Sequence, residues 1–414
     1  MKAGLHPILT CEEAAEFEKG LLPDEEAAWE AMNRAGRSLA EQLMLDLQEG
    51  GPVPENASVL VLLNKGNNSG DACIVVDALF EEYPELEVEV VSLVSVEEMR
   101  PLARRAFEAI ADRVEVRALE ELSADEPFYL CLDGIFGMQF KPPLRGSGKD
   151  LLDKVNHDLR IDYRVAVDIP SGLGDAEAFQ ADFSYATGIL KSVLLGPEHR
   201  PKCGRIRYLD IGFFPEGIQE QEWSAPYLIT GNLLTDMRRI RKWDTDKRRE
   251  GHLFLLAGSR QMPGALLMAA QAALSGGVGL LTVFGPESMI PHLVGALPEA
   301  MWVPFPETPD GGLALEGRQE ILSRMDRADA VLFGPGLGRE SETAQLLDEL
   351  LGEIRVPVLL DADALQPGIV SAAANRPEGF GKVVITPHEG EFKRISGETG
   401  PEEFARKTGL VVVL

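Results

Sequence analysis

Apolar residues recur along this chain in two rhythms. Over residues 12–48 they fall at helical spacing with acidic residues between them, which predicts a helical start. Over residues 57–213 short apolar runs alternate with longer amphipathic stretches. Val59–Leu63, Val88–Leu93, Phe128–Leu132, Val165–Val167 and Ile206–Ile211 read as strands, and Ala72–Phe80 as a helix. Strands alternating with helices predict a doubly wound parallel sheet. Gly212–Pro226 breaks the pattern and reads as a linker. The basic stretch Arg238–Arg249 that follows is a solvated segment or a phosphate-facing lip. Alternation resumes with His252–Ala257, Leu280–Phe284, Ala330–Phe333, Val358–Leu360, Lys382–Ile385 and Leu410–Leu414. A helix rich in Ala and Gly, Ala265–Gly279, can approach such a sheet closely. The expected fold is α/β with two doubly wound domains, residues 1–222 and 227–414, and no internal sequence repeat.

The predicted strand ends carry the candidate chemistry. After Val59–Leu63 comes Asn64-Lys65-Gly66-Asn67-Asn68-Ser69-Gly70-Asp71, read as a loop that exposes backbone N–H groups before the helix. It is neither a Walker loop nor a Gly-x-Gly-x-x-Gly fingerprint, and a plain turn has the same composition. Phe128–Leu132 runs into Asp133-Gly134-Ile135-Phe136-Gly137, and Val165–Val167 into Asp168-Ile169-Pro170-Ser171-Gly172. Ligands bind beyond the carboxyl ends of strands in open parallel sheets. Asn68, Asp133 and Ser171 would offer hard oxygen ligands, suited to an alkali or alkaline-earth cation rather than zinc.

Composition narrows the function classes. Forty basic against 67 acidic residues leave a net charge of −27, unsuited to general binding of nucleic acid or anionic membrane. Cys11, Cys73, Cys131 and Cys203 contain no Cys-x-x-Cys pair, and Cys73 and Cys131 sit in apolar runs. That usage fits a reducing cytoplasm. Met1–Cys11 does not resemble a signal peptide, and no apolar run reaches membrane-spanning length.

The first half resembles the NAD(P)H-hydrate epimerase domain, also called the YjeF N-terminal domain. The matching pieces are Ala31–Arg37, Gly66–Asp71, Asp133–Gly137, Val167–Gly172 and Ala181-Asp182 with Lys191. Ser69 and Ala72 stand where the family has Gly, and Met138-Gln139 where it usually has Thr-Gly. The resemblance implies a Rossmann-like epimerase with K⁺ bound by Asn68, Asp133 and Ser171. It implies substrate contacts from Asn67, Asn68, Ser69, Gly70, Asp71, Gly137, Met138, Gln139, Phe140, Lys141, Pro142 and Pro143. Asp168 is the expected acid/base residue, or else a turn cap. Asp71 is expected to bond loop amides. Lys191 reaches the site or lies on the surface.

The second half resembles the ADP- or ATP-dependent NAD(P)H-hydrate dehydratase, a ribokinase-like fold. The match runs through Lys247 to His252, Gly258-Ser259, Met262–Ala265, Leu297–Met301, Gly334–Gly338, Leu360–Leu365 and Ile385–Glu391. Ala265, Gly336, Gly338 and His388 are the substrate-side residues it implies, with ADP or ATP and Mg²⁺ as its nucleotide and ion. Asp361 and Asp363 form a metal-linked pair or cap the next helix, and Met262 and Met268 pack. The family's later Gly-rich Gly-Asp motif is not in this sequence. The C-terminal domain is therefore expected to be truncated and to lack dehydratase activity. Together the halves imply repair of hydrated NADH and NADPH, NAD(P)HX, in the cytoplasm by a homo-oligomer without nucleic-acid or membrane partners. A ribokinase-like small-molecule kinase and a non-catalytic scaffold are the alternatives.

Overall fold

The structure, a computed structural model, describes residues 4–215, 225–237 and 240–414. The chain forms two compact units, Met1–Arg239 and Ile240–Leu414.

The first unit opens with β1 (Leu5–Leu9), α1 (Cys11–Leu21) and α2 (Glu25–Gln48). It continues with β2 (Ser58–Leu63), α3 (Asn67–Glu82), β3 (Glu87–Ser92), α4 (Pro101–Ile110), β4 (Glu115–Val116) and β5 (Phe128–Gly134). Then follow α5 (Gly146–His157), β6 (Ile161–Val167), β7 (Phe183–Thr187), β8 (Leu190–Lys191), β9 (Arg205–Leu209) and β10 (Tyr227–Ile229). The stretch expected to be helical over 12–48 is two helices. Pro23 has no N–H to continue α1 and disfavours helical backbone at Leu22. Asp24 then caps α2 by accepting from the N–H of Ala27 at 2.9 Å.

Seven parallel strands form the main sheet, in the order β4-β3-β2-β5-β6-β7-β9. β2 is buried on both faces, which explains its unbroken apolar sequence. Val59, Val61 and Leu63 pack with Leu43 of α2 and Val75 of α3 on one side. Leu60 and Leu62 meet Leu151 and Val155 of α5 on the other. β7 was not foreseen, because Ser184 and Thr187 interrupt its apolar character. Both are buried, and the Ser184 hydroxyl donates to Cys203 O at 2.8 Å. Tyr185, also buried, donates its hydroxyl to Asp46 Oδ2 at 2.8 Å, and Arg207 forks onto the same carboxylate. A separate three-stranded sheet, β10-β1-β8, closes the unit. β10 lies beyond the expected boundary at 222, yet pairs with β1. Residues 216–224 of the expected linker, with Arg238 and Arg239 of the basic stretch, lie outside the described residues.

The second unit contains β11 (His252–Leu256), β12 (Leu280–Pro286), β13 (Met301–Phe305), β14 (Ala330–Phe333), β15 (Val358–Leu360), β16 (Val383–Ile385) and β17 (Val411–Val412). All pair in parallel, in the order β13-β12-β11-β14-β15-β16-β17. Of these only β13 was not foreseen, its run being interrupted by Pro304. The small-residue helix spans Pro263–Ser275, opened by a proline at its first position. Both units are doubly wound α/β layers, as expected. No described helix is long and apolar enough to cross a membrane.

Candidate active site

In the first unit the strand order reverses between β2 and β5, where a crevice opens at the carboxyl edge. A cavity of about 710 Å³ occupies it, with walls from α1, α2, the start of α3, the loop after β5 and the ends of β6, β7 and β8. The loop expected at Asn64–Asp71 is shorter than foreseen. Gly66 is the N-cap of α3, so Asn67 to Asp71 form its first turns. Asn and Gly at a helix start resemble a turn in sequence, because both favour capping positions.

The three expected cation ligands are brought together. Asp133 is fully buried. Its Oδ1 accepts from the Ser171 hydroxyl at 2.6 Å and from the N–H of Ile135 at 3.2 Å, and its Oδ2 from the N–H of Ser171 at 2.7 Å. Asn68 Nδ2 donates to Val167 O at 2.9 Å and Phe136 O at 3.1 Å. Ser171 Oγ lies 3.4 Å from the same Phe136 oxygen. Carboxylate, hydroxyl and two carbonyls therefore sit around one spot, and a half-turn of the Asn68 amide would add a further oxygen. Such a donor set fits a hard monovalent cation. Burial pushes the Asp133 carboxyl up to about 6, with the Ser171 bonds pulling it back. A Cβ at Gly137 would lie 2.4 Å from Asn68 Oδ1, so glycine is required there.

Asp168 ends β6 in left-handed backbone, φ 65°, a conformation Asp tolerates better than most residues. Its N–H donates to Tyr185 O at 3.1 Å. Lys191 is 1% exposed and donates its Nζ to Asp168 Oδ1 at 2.5 Å and to Thr187 O at 3.3 Å. It is therefore no surface lysine, but the partner of the expected acid/base residue. Asp168 forms this ion pair rather than capping the following turn.

Asn67, Asn68, Asp71, Gly137, Met138, Gln139, Phe140 and Lys141 line the cavity together with Asp168 and Lys191. Ser69, Gly70, Pro142 and Pro143 do not. The Ser69 hydroxyl bridges Asn64 N and Gly134 O, both at 2.8 Å, so its role is to hold β2 to β5. Gly70 is a packing contact, since a Cβ there would meet Met32 Sδ at 2.6 Å. Asp71 makes no side-chain hydrogen bond among the described residues, against the expectation that it ties loop amides. Burial, then the charges of Asp168 and Glu18, hold its carboxyl well above the usual range. Glu18, Lys65, Arg100 and Thr187 also face the cavity. Glu18 was not singled out from the sequence; the signal that could have found it is its place four residues after the buried Ala14, on the apolar side of α1.

In the second unit the order reverses between β11 and β14, and glycines build the edge. Gly258 N–H donates to Pro335 O at 2.8 Å. Gly334, Gly336 and Gly338 all have positive φ. A Cβ at Gly336 would meet that of Ala265 at 2.8 Å, which places these two expected residues in contact. Asp363 Oδ2 accepts from the N–H of Gly338 at 3.0 Å, and Asp361 Oδ1 from the Thr386 hydroxyl at 2.9 Å. The two aspartates thus brace loops, and Asp361 caps no helix end with its side chain. His388, its side chain 73% exposed, caps the helix Glu389–Ser396 by accepting from Gly390 N–H at 3.0 Å. Ser259 Oγ is buried and has no hydrogen-bond partner among the described residues. Met268 is 70% exposed, contrary to its expected packing role.

Two doubly wound units with ligand-ready carboxyl edges define an α/β enzyme of small-molecule metabolism. Residues 29–192 match the family model described as YjeF-related protein N-terminus, and residues 253–414 that of NAD(P)H-hydrate dehydratase. Over 387 residues the chain is 30% identical to the bifunctional NAD(P)H-hydrate repair enzyme Nnr of Moorella thermoacetica, covering 89% of this chain and 70% of that protein. Identity to the counterpart from Salinibacter ruber is 30% over 399 residues, covering 89% and 71%. Among solved structures, the ADP/ATP-dependent NAD(P)H-hydrate dehydratase of Bacillus subtilis, co-crystallised with ATP/Mg²⁺, is 31% identical. That alignment covers 42% of this chain and 61% of that one, with a TM-score of 0.33. The chain belongs to the family of bifunctional NAD(P)H-hydrate repair enzymes. Membership sets that reading above the small-molecule kinase and scaffold alternatives.

Proposed function

We propose that the first unit interconverts the two C6 epimers of hydrated NADH and NADPH, with Asp168 transferring the proton. The buried Asp168–Lys191 pair facing the cavity carries this reading. A carboxylate held by an ammonium in a part-enclosed site is positioned for acid/base work on a hydroxyl at C6. Asn67, Asn68 and Asp71 at the start of α3, with Gly137 to Lys141, would contact the substrate. The start of α3 offers free N–H groups to the diphosphate. Asn68, Asp133 and Ser171 would hold K⁺, which would offset the buried Asp133 charge and fix the loop after β5. In the second unit, Ala265, Gly336, Gly338 and His388 would take the substrate for ADP- or ATP-dependent dehydration, with Mg²⁺ accompanying the nucleotide. The first unit, which runs past the expected boundary at 222 to Arg239, is thus assigned to epimerisation, and the second, Ile240–Leu414, to dehydration. A cytoplasmic location and a homo-oligomeric state complete the proposal. The test supplies purified single epimers of NADHX with K⁺ and follows their interconversion chromatographically. A rate no faster than the uncatalysed background rejects the epimerase assignment.

A further inference from the structure

Helix α1 turns one carboxylate the wrong way for an amphipathic helix. Its start is fixed by a reciprocal cap, Thr10 with Glu13. Ala14 is buried, Cys11, Ala15 and Glu18 are half-buried, and Glu12, Glu13 and Glu16 are exposed; Ala15 and Glu18, with Leu22 just past the helix, line the cavity. Glu18 therefore occupies a core-facing position, three residues from Ala15 and four from Ala14, where an apolar side chain is expected. Phe17 beside it stacks on Phe214, ring centroids 5.1 Å apart, which holds the helix's rotation. Glu18 lines the cavity that contains Asp168 and Lys191. Among the described residues its carboxylate has no hydrogen-bond partner, and Lys191 is committed to Asp168 and Thr187. An inward, unpaired carboxylate is costly unless it serves a ligand.

We propose that Glu18 is a second catalytic residue of the epimerase unit, acting on the C6 oxygen from the α1 wall while Asp168 acts from the β6 end. The inference rests on the epimerase reading above. The C6 carbon bears a hydroxyl and adjoins the ring nitrogen, so it is a hemiaminal carbon. In one direction protonated Glu18 gives its proton to the C6 hydroxyl. The C6–O bond breaks, water leaves, and the nitrogen lone pair forms the C=N⁺ bond. A water then adds to the opposite face, its oxygen bonds C6, the C=N⁺ pair returns to nitrogen, and Asp168 takes the released proton. One water leaves and one enters, with no change of oxidation state. The reverse direction exchanges the two roles. Two acid/base groups on different walls supply what inversion at one carbon requires and a single carboxylate does not.

The charged groups that line the cavity with Glu18 are Lys19 on its own helix, Asp71 on α3, Asp168 after β6, Lys191 on β8, Lys65 before α3 and Arg100 before α4. Burial raises the Glu18 carboxyl to about 7, against the pull of Lys191 and with the push of Asp168. It can thus both give and take a proton near neutrality. Burial and the charges of Asp168 and Glu18 likewise hold the Asp71 carboxyl well above its usual range, so it is tested beside Glu18.

The experiment measures epimer interconversion by the parent chain, Glu18→Gln, Glu18→Asp and Asp71→Asn across pH, in water enriched in ¹⁸O. The parent should incorporate solvent ¹⁸O with each interconversion. Glu18→Gln should lower kcat about 100-fold with KM little changed, and should lose the limb of the pH profile near neutrality. Glu18→Asp should keep that limb with a smaller loss, and it carries the test where Glu18→Gln unfolds. An active parent with an unaffected Glu18→Gln rate and pH profile overturns this proposal alone. So does loss of the limb in Asp71→Asn but not in Glu18→Gln. An inactive parent overturns the epimerase reading, and this one with it.

Discussion

The two units thread their parallel strands in one spatial order, the third beside the second, first, fourth, fifth, sixth and seventh, yet finish their carboxyl edges with different materials. In the first unit the edge is made of buried charge: Asp133, Asp168 and Lys191 are all nearly inaccessible. In the second it is made of bare backbone, with glycines 258, 334, 336 and 338 at positive φ and aspartates spent on bracing loops. The frame therefore determines where a ligand binds, and the residues after each strand determine what chemistry occurs. Buried charge suits proton transfer. A glycine-lined edge lets a ligand approach backbone amides closely.

The sharpest way to break this contrast is to neutralise the charged edge. Asp168→Asn is expected to lower epimer interconversion by about 10²–10⁴-fold. The assay is single-epimer turnover, and an unchanged rate would remove Asp168 from the chemistry. Lys191→Met should lower stability by about 3–5 kcal/mol, because the Asp168 charge is left buried without its partner. Urea unfolding of the variant, and of the double variant with Asp168→Asn, separates the lost pair from the stranded charge. A double variant no more stable than Lys191→Met contradicts that account.

On the glycine edge the expected effect is smaller and depends on position. Gly334 has φ 132°, and a Cβ there would lie 1.7 Å from Asp361 O. At Gly338, φ 78°, the space is open. Gly338→Ala should carry only the backbone cost, about 1–3 kcal/mol, and Gly334→Ala more than that. Equal shifts in thermal midpoint for the two variants would show that the clash relaxes freely.

The smallest effect expected is that of potassium. Burial raises the Asp133 carboxyl from 3.8 in the open chain to about 6 in the fold. Between those values the folded state binds more protons than the unfolded one. Stability from this group is therefore highest at low pH, falls as pH rises through that window, and stays reduced above it. A cation held by ionised Asp133 offsets the loss. At ten times its dissociation constant K⁺ should add about 1.4 kcal/mol at pH 8 and less at pH 5. Melting in potassium chloride against choline chloride at each pH measures this, and Asp133→Asn should abolish the difference. A potassium effect that grows toward pH 5 would contradict the assignment.

The pattern of the chain showed the frame and most of the central strands, because a strand buried on both faces needs an unbroken apolar run. β7 and β13 escaped for the same reason: Ser184 and Pro304 interrupt them, the first tolerated by its bond to Cys203 O and the second by its exposed place on an edge strand. Asn68, Asp133 and Ser171 could be grouped from the sequence because all three lie at or a few residues beyond the carboxyl ends of β2, β5 and β6. Lys191 was ambiguous and Glu18 not singled out. Lys191 takes its significance from Asp168, more than twenty residues away, which no local spacing encodes, and Glu18 from a place on the apolar side of α1 that the sequence reading passed over.

The short strand Tyr227–Ile229 gains meaning when traced along its bonds. It pairs with Leu5–Pro7, and the next residues of that same N-terminal strand, Ile8 and Leu9, pair with Leu190 and Lys191. The ammonium in the cavity thus hangs at the end of a three-rung ladder whose outermost rung lies almost forty residues further along. A scientist who separated the two activities by cutting after Phe214 would remove that rung, and the cut belongs beyond Met237. Heredity meets the same constraint. An insertion between Gly4 and Leu9 that slipped the ladder by one residue would invert the facing of the strand beside Lys191. Tolerance for changes within Leu5–Leu9 should therefore be low.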